Sequence, residues 1–192
     1  MIRISSLILL SILLMPPNCG AKDVKTISAK TVREVMQHYF SCAAKVSNDS
    51  QPFYVTGDFN DDGLKDIAVL FYPQKEIKQS KQIKLSCPWA FDSSMHSNKY
   101  HKSLAIINGH PDGWISPNTK VFVLIDRSGV LETPSFRIIV KKRSESDYAQ
   151  HLNLLHSYKS GDLIILPTEA GIDTYILWDR SNYKLYIPEE MP

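Results

Sequence analysis

From Thr31 onward the apolar positions first recur with a helical spacing and then switch to alternation. Val32, Val35, Met36, Tyr39 and Ala43 stand at i, i+3, i+4, i+7 and i+11, which is one stripe along a helix. Thr31-Val32-Arg33-Glu34 has the order of a capping box, in which the two end side chains satisfy orphaned backbone N–H groups. The pattern predicts a helix over 31–45, closed by the polar run SNDSQP. Beyond it come short β-type runs at 53–56, 66–72, 82–87, 103–108, 121–126, 135–142, 162–167, 174–179 and 184–188. Turn signals such as Asn108-Gly109, Pro111-Asp112-Gly113 and Ser160-Gly161 separate them. The last two runs are close enough to form a hairpin. Without long helices between strands, the expected fold is α+β, an N-terminal helix packed on a mainly antiparallel β-meander of about 7–9 short strands. Segment 144–161 reads as either a long loop or a short helix, and no repeat period is visible.

The N-terminus changes the domain picture. Arg3 is followed by an apolar and serine run from Ile4 to Met15, shorter than the roughly 20 residues that cross a bilayer. Small residues Cys19 and Ala21 follow at an A-x-A-like point, the layout of a cleaved export signal over residues 1–21. The remaining residues 22–192 are one ordinary globular domain, expected in the periplasm or secreted. No later segment is apolar enough to cross a membrane. Cys19 also stands where bacterial lipoproteins carry their lipidated cysteine, although Pro16-Pro17-Asn18 before it differ from the small residues of that motif. Lipidation at Cys19, giving an outer-membrane lipoprotein, is the minority reading.

Charge adds an exclusion. The net charge is +2 and loses Arg3 with the signal, so no basic footprint for nucleic acid is present. The runs KEIKQSKQIK (75–84) and VKKR (140–143) read as solvated faces or lysine protection of edge strands. Beyond the signal the cysteines are Cys42 and Cys87, an even pair that suits an oxidising compartment. A bridge between them closes a loop of about 45 residues and would contribute roughly 4 kcal/mol.

The chemistry concentrates in GDFNDDGLKDIAVL, residues 57–70. Counting from Asp58, oxygen-bearing side chains fall at positions 1 (Asp58), 3 (Asn60), 5 (Asp62) and 9 (Asp66), with Gly63 at position 6. Calcium takes six to eight oxygens, and alternate side chains in a tightly wound loop can converge on one ion. Glycine permits the sharp turn, and Leu64 at position 7 would offer its carbonyl. An EF-hand needs a glutamate at position 12, where Val69 stands. A polar β-turn held by Asx hydrogen bonds, with no ion, is the alternative. The stretch resembles the D-x-[DN]-x-D-G-x-x-D calcium loop of FG-GAP and VCBS-type repeats, which links neighbouring β-strands. The resemblance covers residues 57–70 and implies Asp58, Asn60, Asp62 and Asp66 as side-chain ligands of one structural calcium ion. Propellers of that family carry many copies of the loop; this chain carries one, which excludes a seven-bladed propeller.

Other candidates are weaker. His96 and His101, with His110 nearby, and His151 and His156 are spaced by five, whereas a helical zinc pair needs the i, i+4 step. G-x-S-x-G and glycine-rich phosphate loops are absent. Glu169, Asp173 and Asp179 lie near the last strands, where solvated carboxylates are routine. Tyr175, Trp178, Tyr183 and Tyr186 fit cross-strand packing; exposed, they would mark a binding face. The expected role is therefore non-catalytic binding of an unknown protein or glycan partner. The rivals are a periplasmic inhibitor or immunity protein for a partner enzyme, and a metal-dependent hydrolase using the loop histidines.

Overall fold

The computed structural model describes residues 27–78, 80–85, 101–126, 131, 137–148, 161–167 and 173–187. Residues 1–26, which include Cys19 and the expected export signal, lie outside the described residues, as do Cys87, His96, His151, His156 and Glu169.

Helix α1 runs Ala29–Phe40 and is followed by a 3-10 turn, Ser41–Ala43. It starts earlier and ends sooner than the apolar stripe predicts. The cap is Ser28, whose hydroxyl accepts from the Thr31 N–H at 3.1 Å; Thr31 is inside the helix, so the Thr31–Glu34 capping box does not form. At the other end Ser41 takes a left-handed φ of 47° and its N–H bonds the Gln37 carbonyl, which stops the helix before Ala43.

The strands are β1 (Ala44–Val46), β2 (Tyr54–Gly57), β3 (Asp66–Pro73), β4 (Lys81–Gln82), β5 (Lys84–Leu85), β6 (Ser103–Ile107), β7 (Val121–Leu124), β8 (Ile139–Lys141), β9 (Leu163–Leu166), β10 (Thr174–Trp178) and β11 (Tyr183–Tyr186). The α+β class is as read, but the strands form two sheets where one meander was expected. The first sheet is ordered β1-β3-β6-β7-β4, with β2 also pairing β3, and the second β5-β11-β10-β9-β8. The pairs β4–β7 and β5–β11 are parallel and the others antiparallel. The chain changes sheets at buried Ile83, between β4 and β5, where its N–H bonds the Val123 carbonyl at 2.8 Å. Such a crossing corner lets one short segment edge both sheets.

Alternation along the strands creates the layers. Ala68 and Leu70, Leu104 and Ile106, and Phe122 and Leu124 face Ile164, Ile176 and Leu185 of the second sheet in one buried cluster. The opposite face of the first sheet, with Ile67, Val69, Phe71, Ala105 and Ile107, shares a cluster with Val32, Val35, Met36 and Phe40 of α1. Phe40 and Phe71 stack there with centroids 5.6 Å apart. The outer face of the second sheet buries Leu163, Ile165, Tyr175 and Leu177 with Tyr148. The hairpin expected of the last two runs is present as β10–β11, with Tyr175 opposite Tyr186 and Trp178 opposite Tyr183.

Candidate metal centre

The acidic stretch is the connection of the β2–β3 hairpin, whose last ladder pair is Gly57–Asp66. Phe59, 1% exposed, turns inward and plugs the inter-sheet core. Gly57 makes room for it: a Cβ there would lie 2.6 Å from the Phe59 ring. Asp61 and Gly63 take left-handed φ values of 60° and 80°, which wind the loop back on itself and suit the glycine.

Asp58 sits at the centre of the winding. Its Oδ1 accepts the Asp62 N–H at 3.1 Å and its Oδ2 the Gly63 N–H at 2.9 Å. Asn60 donates through Nδ2 to Asp62 Oδ2 at 2.7 Å, and the Leu64 N–H donates to Asp62 Oδ1 at 2.8 Å. Burial, ahead of the neighbouring Asp62 and Asp61 charges, raises the Asp58 pKa against those amide bonds.

Asp66 lies below the loop and is fully buried. Its Oδ2 accepts the Phe59 N–H at 2.9 Å and its Oδ1 the Gly109 N–H at 2.6 Å. Burial pushes its carboxyl up to about 7, helped by the Asp62 and Asp58 carboxylates and opposed by those two amides. The Tyr183 hydroxyl, from the second sheet, stands 3.4 Å from Asp66 Oδ2 and donates to Asn108 Oδ1 at 3.0 Å. Tyr183 is itself 1% exposed, and burial followed by the Asp66 charge raises its phenol far above its ordinary value.

Two further segments wall the loop: sequence reasoning took Asn108-Gly109 and Pro111-Asp112-Gly113 for turns, Asp162 for the first residue of a β-type run and Arg143 for part of a solvated basic face. Gly109 touches it so closely that a Cβ would lie 2.8 Å from the Lys65 carbonyl oxygen, and Trp114 Nε1 donates to that same carbonyl at 2.7 Å. From the second sheet, Asp162 accepts the Asp58 N–H at 3.0 Å and returns its own N–H to the Asp58 carbonyl at 2.7 Å. Arg143 reaches Asp61 at 2.6 Å. The loop therefore occupies the seam between the sheets and bonds to both.

All the expected donors are oxygens, the chemistry a hard cation takes, and each carboxylate oxygen has a lone pair beyond the amide bond it accepts. The residues thus fit calcium in kind and in order along the loop. Their side chains are turned to one another and to amides, and among the described residues no three acidic, histidine or cysteine side chains form a converged cation-binding group. Asp62 is exposed, Asp58, Asn60 and Leu64 are half-buried, and Asp66 stands at the buried base of the loop.

The other candidates do not assemble a site among the described residues. His110 Nδ1 faces the Asp112 carboxylate at 3.3 Å. Asp179 pairs with Lys184. Tyr175 and Tyr183 are core residues, while Trp178 is partly buried and packs against Phe122. Cys42 is exposed, and a hydrogen bond from Lys75, then its charge, lowers the thiol pKa. Nearby, an open cleft of about 460 Å³ lies between Phe40, Ser41, Lys75, Ile77 and Thr119. Its lysines are engaged, Lys75 with Cys42 and Lys78 with Glu76 at 3.2 Å.

A second polar cluster is structural. Lys102, 3% exposed, lies 3.5 Å from Asp49 Oδ2, which also accepts the Tyr72 hydroxyl at 2.7 Å, while Ser47 bonds Asp49 Oδ1. Ser47 and Tyr72, then the Lys102 charge, hold the Asp49 carboxyl down to about 2. The cluster pins the 47–50 turn to β3 and β6.

No family model, no curated protein and no solved structure matches the chain. The helix is the longest among the described residues, and none is long and apolar enough to cross a membrane.

Proposed function

We propose that this chain is an exported domain whose β2–β3 loop holds one structural calcium ion, and that its outward role is binding a protein or glycan partner without chemistry of its own. The observation that carries the reading is the position of an all-oxygen donor set, Asp58, Asn60, Asp62, Asp66 and the Leu64 carbonyl, at a seam where the Phe59, Gly63 and Gly109 amides and the Asp162 carboxylate already shape it. An ion there offsets three carboxylates that otherwise repel one another, two of which have raised pKa values. On this reading residues 1–21 are an export signal and the domain works in the periplasm or outside the cell, an oxidising compartment in which a Cys42–Cys87 bridge would persist. The large apolar side chain exposed among the described residues is Ile115 (49%), next to the Trp114 that braces the loop, so a partner at this end meets an acidic loop with one apolar contact beside it.

Thermal melting of the oxidised mature chain tests the ion. At a calcium concentration 100 times its dissociation constant the gain is about 2.7 kcal/mol, or roughly 5–10 °C for a domain of this size. Asp58→Ala abolishes the gain. Equal midpoints in calcium and in chelator overturn the calcium reading and leave the loop an Asx-bonded turn.

A further inference from the structure

We infer that Asp162, the residue just before β9 and outside the loop's own spacing, is the positioning residue of the cation loop and couples calcium binding to the β8–β9 edge. The inference rests on the calcium reading above. Asp58 is the first donor of the loop, and both of its backbone polar groups are fixed by this one residue. Its N–H donates to Asp162 Oδ2 at 3.0 Å, and its carbonyl accepts the Asp162 N–H at 2.7 Å. The other carboxylate oxygen, Oδ1, accepts the Arg143 N–H at 3.0 Å. One carboxylate thus bridges the first residue of the loop and the turn after β8.

Three features surrounding the contact fit that role. A Cβ at Gly57 would lie 2.8 Å from Asp162 Oδ2, so residue 57 leaves space for the carboxylate. A Cβ at Gly161 would lie 2.0 Å from the Asp58 carbonyl oxygen, so residue 161 can approach only as glycine. Arg143, whose amide Asp162 holds, closes on the loop a second time by pairing with Asp61 at 2.6 Å. The two acceptor oxygens matter separately. An asparagine has one acceptor oxygen, and its NH2 would face a backbone N–H donor on the other side.

A donor whose backbone is already fixed loses less freedom when it closes on an ion, and loss of such an orienting group commonly costs roughly 10–100-fold in metal affinity. Coupling is reciprocal: if the β8–β9 edge helps calcium bind, calcium in turn holds that edge.

The test is calorimetric calcium titration of the oxidised mature chain as wild type, Asp162→Asn, Asp61→Asn and Asp58→Asn. Asp61→Asn removes a charge of equal size within the loop without touching the Asp58 backbone bonds to Asp162. The expected result is a dissociation constant raised at least tenfold by Asp162→Asn, less than threefold by Asp61→Asn, and binding lost in Asp58→Asn. Hydrogen exchange of the wild type gives a reading that needs no variant: calcium should slow the Asp58 and Arg143 amides and those of β8 and β9, but not those of β1. Wild-type binding that Asp58→Asn abolishes and Asp162→Asn leaves intact overturns the positioning role while the calcium reading stands. Equal losses in Asp162→Asn and Asp61→Asn reduce Asp162 to a charge and overturn it as well. Unchanged exchange at β8 and β9 overturns the coupling, and a wild type that binds no calcium overturns both inferences together.

Discussion

The buried Asp66 carboxyl makes the calcium-free protein less stable as pH rises through neutrality, the reverse of the usual carboxylate behaviour. Its ordinary value is 3.8 and its value in the fold is about 7, so between these limits the folded chain holds a proton that the unfolded chain has released. Stability falls with pH wherever the native state binds more protons. The contribution is fully present below about 3.8 and gone above about 7. The whole gap is worth roughly 4 kcal/mol at 1.36 kcal/mol per pH unit. Between pH 5 and pH 8 the loss works out at about 2.5 kcal/mol, or roughly 5–10 °C in Tm.

The assay is a pair of Tm profiles from pH 5 to 8 in chelator, wild type against Asp66→Asn. Subtracting the two removes the histidines and every other shared titration. Asparagine can accept from only one of the Phe59 and Gly109 N–H groups that bond the two Asp66 oxygens, so the variant starts lower by about 1–3 kcal/mol. Its profile should nevertheless be flatter, and the difference between the curves should shrink as pH rises. On the calcium reading an ion reverses the trend, because it binds the ionised carboxylate and its affinity climbs with pH up to about 7. Parallel wild-type and Asp66→Asn profiles would refute the claim that this carboxyl is protonated in the fold near neutrality.

Two substitutions, one in the β2–β3 loop and one in the segment packed against it, separate conformational strain from steric contact. Gly63→Ala puts a side chain at φ 80° with nothing within 4 Å, so it should cost only the left-handed penalty of about 1–2 kcal/mol in urea unfolding. Gly161→Ala drives a Cβ against the Asp58 carbonyl oxygen and should cost about 3 kcal/mol or more; near-equal losses would contradict the close approach. The proposed Cys42–Cys87 bridge should appear as a single oxidised species by non-reducing peptide mapping of exported protein, with reduction lowering stability by roughly 4 kcal/mol. Recovery of both cysteines as free thiols from the exported chain would remove it.

The acidic loop was legible because its information is local: a donor at every second position, a glycine where φ turns positive, and an apolar strand immediately after. The α+β class was legible for a similar reason, since periods of 3.6 and 2 need only a short window. The division into two sheets was not. Alternation tells which residues share a face but not which strand that face meets. The continuous runs Ile67–Phe71 and Leu163–Leu166, buried throughout, did carry the signal that both faces of each sheet are covered. The helix start was misplaced because two hydroxyls, Ser28 and Thr31, stand one turn apart, and only the backbone shows that Ser28 caps. Asp162 was invisible as a partner of the loop, because it read as the first residue of a β-type run and lies 104 positions from the Asp58 amide it holds.

Placement at the seam also bears on what the loop does for the fold. Here the β2–β3 loop contacts the strand-end segments of both sheets: Gly109 after β6, Gly161 and Asp162 before β9, Arg143 after β8, and Tyr183 at the start of β11. The core between the sheets supplies apolar burial but little direction, because Leu, Ile and Phe contacts tolerate small slides. Directional bonds fix the relative register, and at this end most of them run through Asp58, Asp66 and Asp162. Those are three acids within one loop environment, a costly concentration of charge unless protonation or a cation neutralises part of it. Asp66 held near 7 represents the first solution and the proposed calcium ion the second. The protein would then exchange a proton for calcium at one end of its inter-sheet seam, which a calcium titration at pH 6 and pH 8 would register as proton release that is larger at the lower pH.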